Sequence, residues 1–330
     1  LIEAEVGDRA SLDALARSTK VVISTVGPYL HHGEPLVAAC AEAGTDYVDL
    51  TGEPEFVDLM WLRYNEQAKK SGARLVHSCG FDAIPSDLGA LFTVEQLPEG
   101  VPIRLEGFVT THGLLPSGGT YHSLVNAMGR LREGVRASRE RREAEPQPNG
   151  RRVKVVLGSP RHERAAGGWV APLPVAIDPD TVASSARALE RYGPDFSYSH
   201  YILAKHVASL AALGAGAATM IALVQLPPVR SALLKLRAPG DGPSPEQRAK
   251  ARFRTRFIGE GGGRRVVADV TGADPGYGGT AKMLGESALC LVHDFLPDRA
   301  GQLTPATAMG RPLIDRLVRA GFGFEVVESG

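Results

Sequence analysis

The sequence predicts an α/β fold: a doubly wound parallel sheet, cut short at its front, followed by a second domain of the α+β class. Three observations predict it. Short apolar runs alternate with helix-patterned runs over residues 1–97; longer strand patterns and a Gly-rich hairpin take over from residue 98; and apolar runs in the first part end in turns that set glycine beside polar or aromatic side chains.

In order, LIEAEV is strand-like, SLDALARS helical with Ser11 as N-cap, and KVVISTV a strand. EPLVAACAEAG reads as a helix closed by Gly44, DYVDL as a strand, VDLMWLRYNEQAKKSG as a helix ending at Gly72, ARLVHSCG as a strand and SDLGALFTVEQL as a helix capped by Ser86 or Asp87. Such a rhythm builds a parallel sheet covered on both faces. It opens at Leu1 on what should be a third strand, so the earlier strands and their Gly-rich turn are expected upstream.

Residues 98–290 read as a substrate domain. IRLEGFVTTHG is a longer strand, SGGTYHSLVNAMGRLREGVRASRERREAE one long helix, and RRVKVVLG and GGWVAPLPVAI are strands. FRTRFIGEGGGRRVVADVTGAD alternates across glycines, which signals a hairpin. Within this part residues 207–226 carry no charge. That length suffices to span a bilayer; the alternatives are a helix against a membrane or lipid tail and a buried helix. Residues 291–330, a helix and then FGFEVVE, are expected to return to the first domain.

Composition narrows the function. The 330 residues include 37 basic and 37 acidic side chains, so no net field attracts nucleic acid. The cysteines Cys40, Cys79 and Cys290 lie far apart without zinc-site spacing, which points to a reducing, cytoplasmic setting and no metal. No GxSxG surrounds a serine, which disfavours hydrolysis.

In a doubly wound sheet ligands bind beyond the carboxyl ends of the strands. Three turns sit there: Val26, Gly27, Pro28 and Tyr29; Thr51, Gly52 and Glu53; Cys79, Gly80, Phe81 and Asp82. Glycine admits a ligand close to backbone, and Tyr29 can flank a planar ring or donate a proton. Asp49 and Glu53 can bond a sugar or amide, with helix capping the alternative for Glu53; Asp82 is a further catalytic candidate. Of His31 and His32, adjacent in a turn, one is expected in solvent. In the second part Ser117, Gly118, Gly119 and Thr120 open a helix whose free N–H groups suit an anion such as a thioester oxygen, with plain capping as the alternative. GxGxxG is missing, and the glycines at 261–263 belong to the hairpin.

VVISTVGPYLHHGEPLVAACAEAGTDYVDLTGE, with HSCGFDAIPSDLGALF, resembles the saccharopine dehydrogenase-like oxidoreductase family. SGGTYHS, DPGYGGTAKM and LTPATAMG resemble its lipid-linked branch, which includes trans-acting enoyl reductases. The resemblance implies a Rossmann domain, NADPH, hydride delivery to an activated C=C bond, and an acyl or polyketide thioester substrate carried by a synthase. It places the VGPY, DLTGE and CGFD residues near the cofactor and transfers no catalytic acid; Tyr29 is the first candidate donor. A homodimer and contact with the inner face of the plasma membrane are further expectations. The competing readings are a saccharopine-type amino-acid dehydrogenase and a lipid-associated binding protein without catalysis.

Overall fold

The computed structural model describes residues 3–113, 118–146, 150–173, 177–236 and 241–330. In chain order its strands are β1 (Val21–Ser24), β2 (Asp46–Asp49), β3 (Arg74–Val76), β4 (Ile103–His112), β5 (Arg152–Val155) and β6 (Arg161–Glu163). There follow β7 (Gly168–Pro172), β8 (Asp195–Ala204), β9 (Arg252–Gly261), β10 (Arg264–Ala273), β11 (Gly301–Leu303) and β12 (Gly323–Ser329).

Strands β1, β2, β3 and β11 form a parallel sheet in that order. Its short connections are set by glycine. Gly44 and Gly72 close the helices Glu34–Ala43 and Pro54–Ser71 in the left-handed region, at φ 76° and 87°, where only glycine sits without a Cβ penalty. These helices, with Arg9–Arg17, bury Val37, Cys40, Phe56 and Met60 against one face of the sheet. The helix Gly278–His293 covers the other face, where Met283, Leu284 and Leu291 join Val48 and Val76.

The second sheet has the order β12-β10-β9-β4-β8-β7-β6, with β5 also paired to β8. The hairpin expected across the glycines is β9–β10, in register from Arg264 with Gly261 to Ala273 with Arg252. The helix Ile84–Val94 is mostly apolar and buried along its whole length, with Ser86, Asp87 and Thr93 as its polar residues. It lies against β9 and β10, so Val48 and Val76 of the parallel sheet share one core with Phe257 and Val270 of the second.

Several elements differ from expectation. LIEAEV forms no strand over its described residues, and the first helix starts earlier, capped by Asp8 instead of Ser11. Asp8 accepts from Ala10 N at 3.0 Å while the Ser11 hydroxyl turns back to the Asp8 carbonyl, so the acid takes the orphan N–H. The long second-domain helix is two, Gly118–Gly129 and Leu131–Ala144, broken at Gly129 and Arg130. Strand β12 pairs with β10 in the second sheet, and it is β11 that joins the parallel one.

The uncharged segment forms the helix Val207–Val224, of mean hydropathy 2.0 and only 11% buried. A buried helix is therefore ruled out. Leu210 and Val224 are buried, and Val224 packs on Val125 and Met128 with Met220 and Ile221 partly buried beside it. Val207, Leu213 and Leu223 are about half exposed.

Candidate functional site

The three glycine-bearing turns do converge at the carboxyl edge of the parallel sheet. Asp49, the last residue of β2 and fully buried, binds two of them together. Its Oδ1 accepts from Thr51 N at 3.1 Å and Ser78 N at 2.9 Å, and Oδ2 lies 2.7 Å from His77 Nδ1. Its carbonyl accepts from Cys79 N at 2.7 Å. Ser78 is held at φ 60°, a conformation costly for a residue with a Cβ. The Asp49 bond and a 2.7 Å bond from the Ser78 hydroxyl to the Thr51 carbonyl keep it there.

Glu53 ties the third turn in. Oε1 accepts from Tyr29 N at 3.0 Å and the Ser123 hydroxyl at 2.7 Å, and Oε2 accepts from Leu30 N at 2.9 Å. Both oxygens are thus spent on the helical turn Tyr29–His32 and on the helix Gly118–Gly129. Glu53 is a buried structural anchor, not a group free for a sugar. The capping alternative comes nearer, although the turn it caps precedes it in sequence.

Tyr29 also changes role. Its ring is 4% exposed and packs 5.8 Å from Phe56, and its hydroxyl donates to the Ser24 carbonyl at 2.9 Å. Burial, then the charge of Asp49, drives its phenol far above the ordinary tyrosine range. A proton so held inside the protein does not reach a substrate, which removes Tyr29 as donor. The turn before it is open: the Gly27–Pro28 bond is cis, Val26 is 48% exposed, and a side chain at Gly27 would meet only the Tyr29 ring, at 3.6 Å. His31 and His32 are both exposed.

In the third turn Cys79 is fully buried with its thiol turned to the Val76 carbonyl, and burial raises its pKa. Its side chain therefore faces the core and not a cofactor. Gly80 leaves room for Thr280, whose hydroxyl accepts from Phe81 N at 3.1 Å, while the Phe81 ring packs on Phe253. Asp82 stands apart. It is partly exposed and makes no hydrogen bond among the described residues. A Cβ at Gly52 would come within 2.8 Å of its Oδ2, so that glycine admits the Asp82 carboxyl. Burial, then the charge of Asp178, lifts Asp82 to about 6.

The second sheet supplies the other wall, which sequence reasoning missed. Asp178 opens the helix Asp178–Ala188 and accepts from the Ser86 hydroxyl at 2.5 Å; burial pushes it up to about 7. His200 of β8 lies 4.0 Å from Asp178 and bonds the Tyr198 hydroxyl at 2.8 Å through Nδ1; burial holds it down to about 4, hence neutral. Ser86 and Asp87 do not cap their helix. Asp87 accepts from the Ser185 hydroxyl and Ala306 N instead. The alternation of Tyr198, His200 and their neighbours in DFSYSHYIL was a strand signal that could have led to them.

Of the expected anion site, Ser117 lies outside the described residues. Gly118 is buried and its N–H donates to the Asp241 carbonyl at 2.8 Å, so it is not free for an anion. Gly119 and Thr120 are exposed.

Comparison with known proteins adds the family. Residues 2–76 match the saccharopine dehydrogenase NADP binding domain. A putative trans-acting enoyl reductase of Mycobacterium tuberculosis is 34% identical, with 98% of this chain and 84% of the relative aligned. A saccharopine dehydrogenase-like oxidoreductase of Rattus norvegicus is 30% identical over 100% of this chain and 82% of its own length. The chain belongs to the saccharopine dehydrogenase-like oxidoreductase family. A trans-acting enoyl reductase of Mycobacterium ulcerans is 32% identical, covering 97% and 83%. The apo saccharopine dehydrogenase (L-Glu forming) of Saccharomyces cerevisiae superposes with a TM-score of 0.50 at 13% identity, over 98% of this chain and 88% of that one, and shares the fold.

This member is thus an NADP-binding oxidoreductase with a Rossmann-type sheet, and its cofactor is NADPH. At the carboxyl edge Val26 offers exposed apolar surface, Gly27 leaves the Tyr29 ring 3.6 Å from where a Cβ would stand, and Asp82 lies in a neighbouring turn.

Proposed function

We propose that the protein is a trans-acting enoyl reductase that reduces an acyl or polyketide thioester in lipid assembly, with Asp82 as the proton donor. The observation that carries this reading is the Asp82 carboxyl itself, without a hydrogen bond among the described residues and lifted to about 6 at the carboxyl edge of the parallel sheet, where ligands of such sheets bind. NADPH, when bound, supplies the hydride. The chain's own groups do the rest. Val26 and Gly27 orient the ring, and Gly52 lets Asp82 approach. Burial, with the charge of Asp178 second, raises Asp82 to about 6, so that below that pH it holds a proton to deliver to the carbon next to the thioester.

Two relatives bear the name trans-acting enoyl reductase, which supports the choice of substrate over an amino-acid conjugate. A lipid-phase substrate also agrees with the exposed helix Val207–Val224. Flanked by Lys205 and His206 and by Arg230 and Lys235, that helix is suited to lie in the surface of an anionic membrane.

NADPH oxidation with 2-enoyl thioesters of several chain lengths tests the reading. Asp82→Asn should lower turnover about 100-fold or more, the usual worth of a general acid, with NADPH affinity kept. Full activity of Asp82→Asn would remove it from the mechanism, and no oxidation with any enoyl thioester would sink the substrate assignment.

A further inference from the structure

The helix Gly118–Gly129 joins the carboxyl edge to the exposed apolar helix Val207–Val224. On one side the Ser123 hydroxyl donates to Glu53 Oε1 at 2.7 Å, the same oxygen that accepts from Tyr29 N at 3.0 Å. Ser123 and the backbone of the turn that carries Val26 and Gly27 therefore meet on one atom. Just past the helix end, Arg130 holds Glu55 through two bonds, of 2.9 and 2.7 Å. On the other side Val125 and Met128 pack with Val224, Met220 and Ile221, and Gln225 Nε2 donates to the Met128 carbonyl at 2.9 Å. The Tyr121 hydroxyl donates to the Leu233 carbonyl, in the helix Pro227–Lys235, at 3.1 Å.

These ties fix how the helix is turned. Successive residues of an α-helix are rotated by about 100°. Ser123 faces the carboxyl-edge turn and Val125 the apolar helix, so Leu124 lies about 100° from each, on the arc that joins the two sides. It is 43% exposed, and no other large apolar side chain of this helix is exposed. Thr120, one turn earlier on the same arc, is exposed too, whereas His122 and Asn126 on the opposite arc are only partly so.

A lone exposed leucine is ordinary on a protein surface. Leu124 differs in having exposed apolar side chains beyond both of its flanks: Val26 past Ser123, and Leu213 and Leu223 past Val125. The helix that carries it, GGTYHSLVNAMG, has no Asp, Glu, Lys or Arg. A long acyl thioester has matching chemistry. Its reacting end is polar and belongs at the carboxyl edge, while the chain behind it gains from every CH₂ laid on apolar surface and is repelled by charge.

We propose that Leu124 lines the path of the substrate's acyl chain, from the carboxyl edge across the helix Gly118–Gly129 towards the helix Val207–Val224, and so sets a preference for long chains. The substrate class rests on the enoyl reductase reading. Saturated thioesters test the path without turnover: dodecanoyl- and butanoyl-pantetheine, both below their micelle concentrations, are titrated calorimetrically into the full chain in the presence of NADPH. The parent should bind the longer thioester at least about tenfold more tightly, and Leu124→Asp should cut that preference at least about fivefold. Phe295→Asp serves as control. Phe295 is 98% exposed at the opposite, amino edge of the parallel sheet, where Arg74 at the start of β3 donates to the nearby Leu291 carbonyl at 2.9 Å; its replacement should leave the preference as it is. Thermal unfolding checks that each variant is folded, and Leu124→Ser decides in place of an unfolded Leu124→Asp. Equal binding of the two thioesters by the parent, or an unchanged preference in the Leu124 variant, would overturn the path while leaving a thioester substrate standing. Binding of neither thioester would overturn the substrate class and the path with it.

Discussion

At the scale of single residues, the carboxyl-edge turns divide into side chains that build the site and one that is free to act. Asp49, Glu53 and Tyr29 spend their polar atoms on backbone. Tyr29→Phe removes the donor to the buried Ser24 carbonyl and should cost about 1–2 kcal/mol in urea unfolding, with turnover within about twofold of the parent. A large loss of turnover at unchanged stability would return Tyr29 to the chemistry. Asp82 predicts a pH profile. With Asp82 as the proposed acid, kcat should fall as pH rises through about 6, and the fall should disappear in the residual activity of Asp82→Asn.

Among the elements, the helix Ile84–Val94 and the helix Val207–Val224 make opposite demands on their surroundings. The first crosses β9 and β10 so closely that a Cβ on Gly89 would stand 2.3 Å from the Phe257 ring and 2.8 Å from Val270. Gly89→Ala should therefore cost about 1–3 kcal/mol despite alanine's better helix propensity, read from urea midpoints. The second helix is as apolar but almost wholly exposed. Co-sedimentation with anionic vesicles should retain the protein and release it as salt rises. Replacing Lys205, Arg230 and Lys235 by glutamine should weaken retention by about 1 kcal/mol per residue. Retention that ignores both salt and these changes would argue against an electrostatic surface contact.

Across the whole molecule, two sheets share one core, and three carboxyls, Asp82, Asp87 and Asp178, are pushed up to about 6, 7 and 7, each chiefly by burial. Folding keeps their protons at pH values where an unfolded aspartate, near 3.9, has released them. Their contribution to stability is therefore complete below about pH 4 and is lost as pH rises through about 7. Urea unfolding should show a less stable protein at pH 8 than at pH 5 from this source, and Asp178→Asn should flatten the slope. An unchanged slope would mean that Asp178 titrates alike in both states.

Much of this was legible in the chain. The βα rhythm, the helix ends at Gly44 and Gly72, the β9–β10 hairpin and the three turns follow from local rules: periodicity over a few residues and glycine where φ is positive. The family resemblance rested on contiguous residues in those same turns. Packing decided the rest, because it joins residues far apart in sequence. Only the fold shows that Glu53 closes on Tyr29 and Ser123, that Gly52 makes room for Asp82, and that Asp178, with His200 of the second sheet 4.0 Å from it, acts on Asp82. The same holds for His77, an unremarked residue of a strand pattern until its ring is seen held by Asp49. Sequence determines where a backbone turns and which side chains stand at the turn. Which of those side chains keep a free polar atom is settled by partners that the turn itself does not contain.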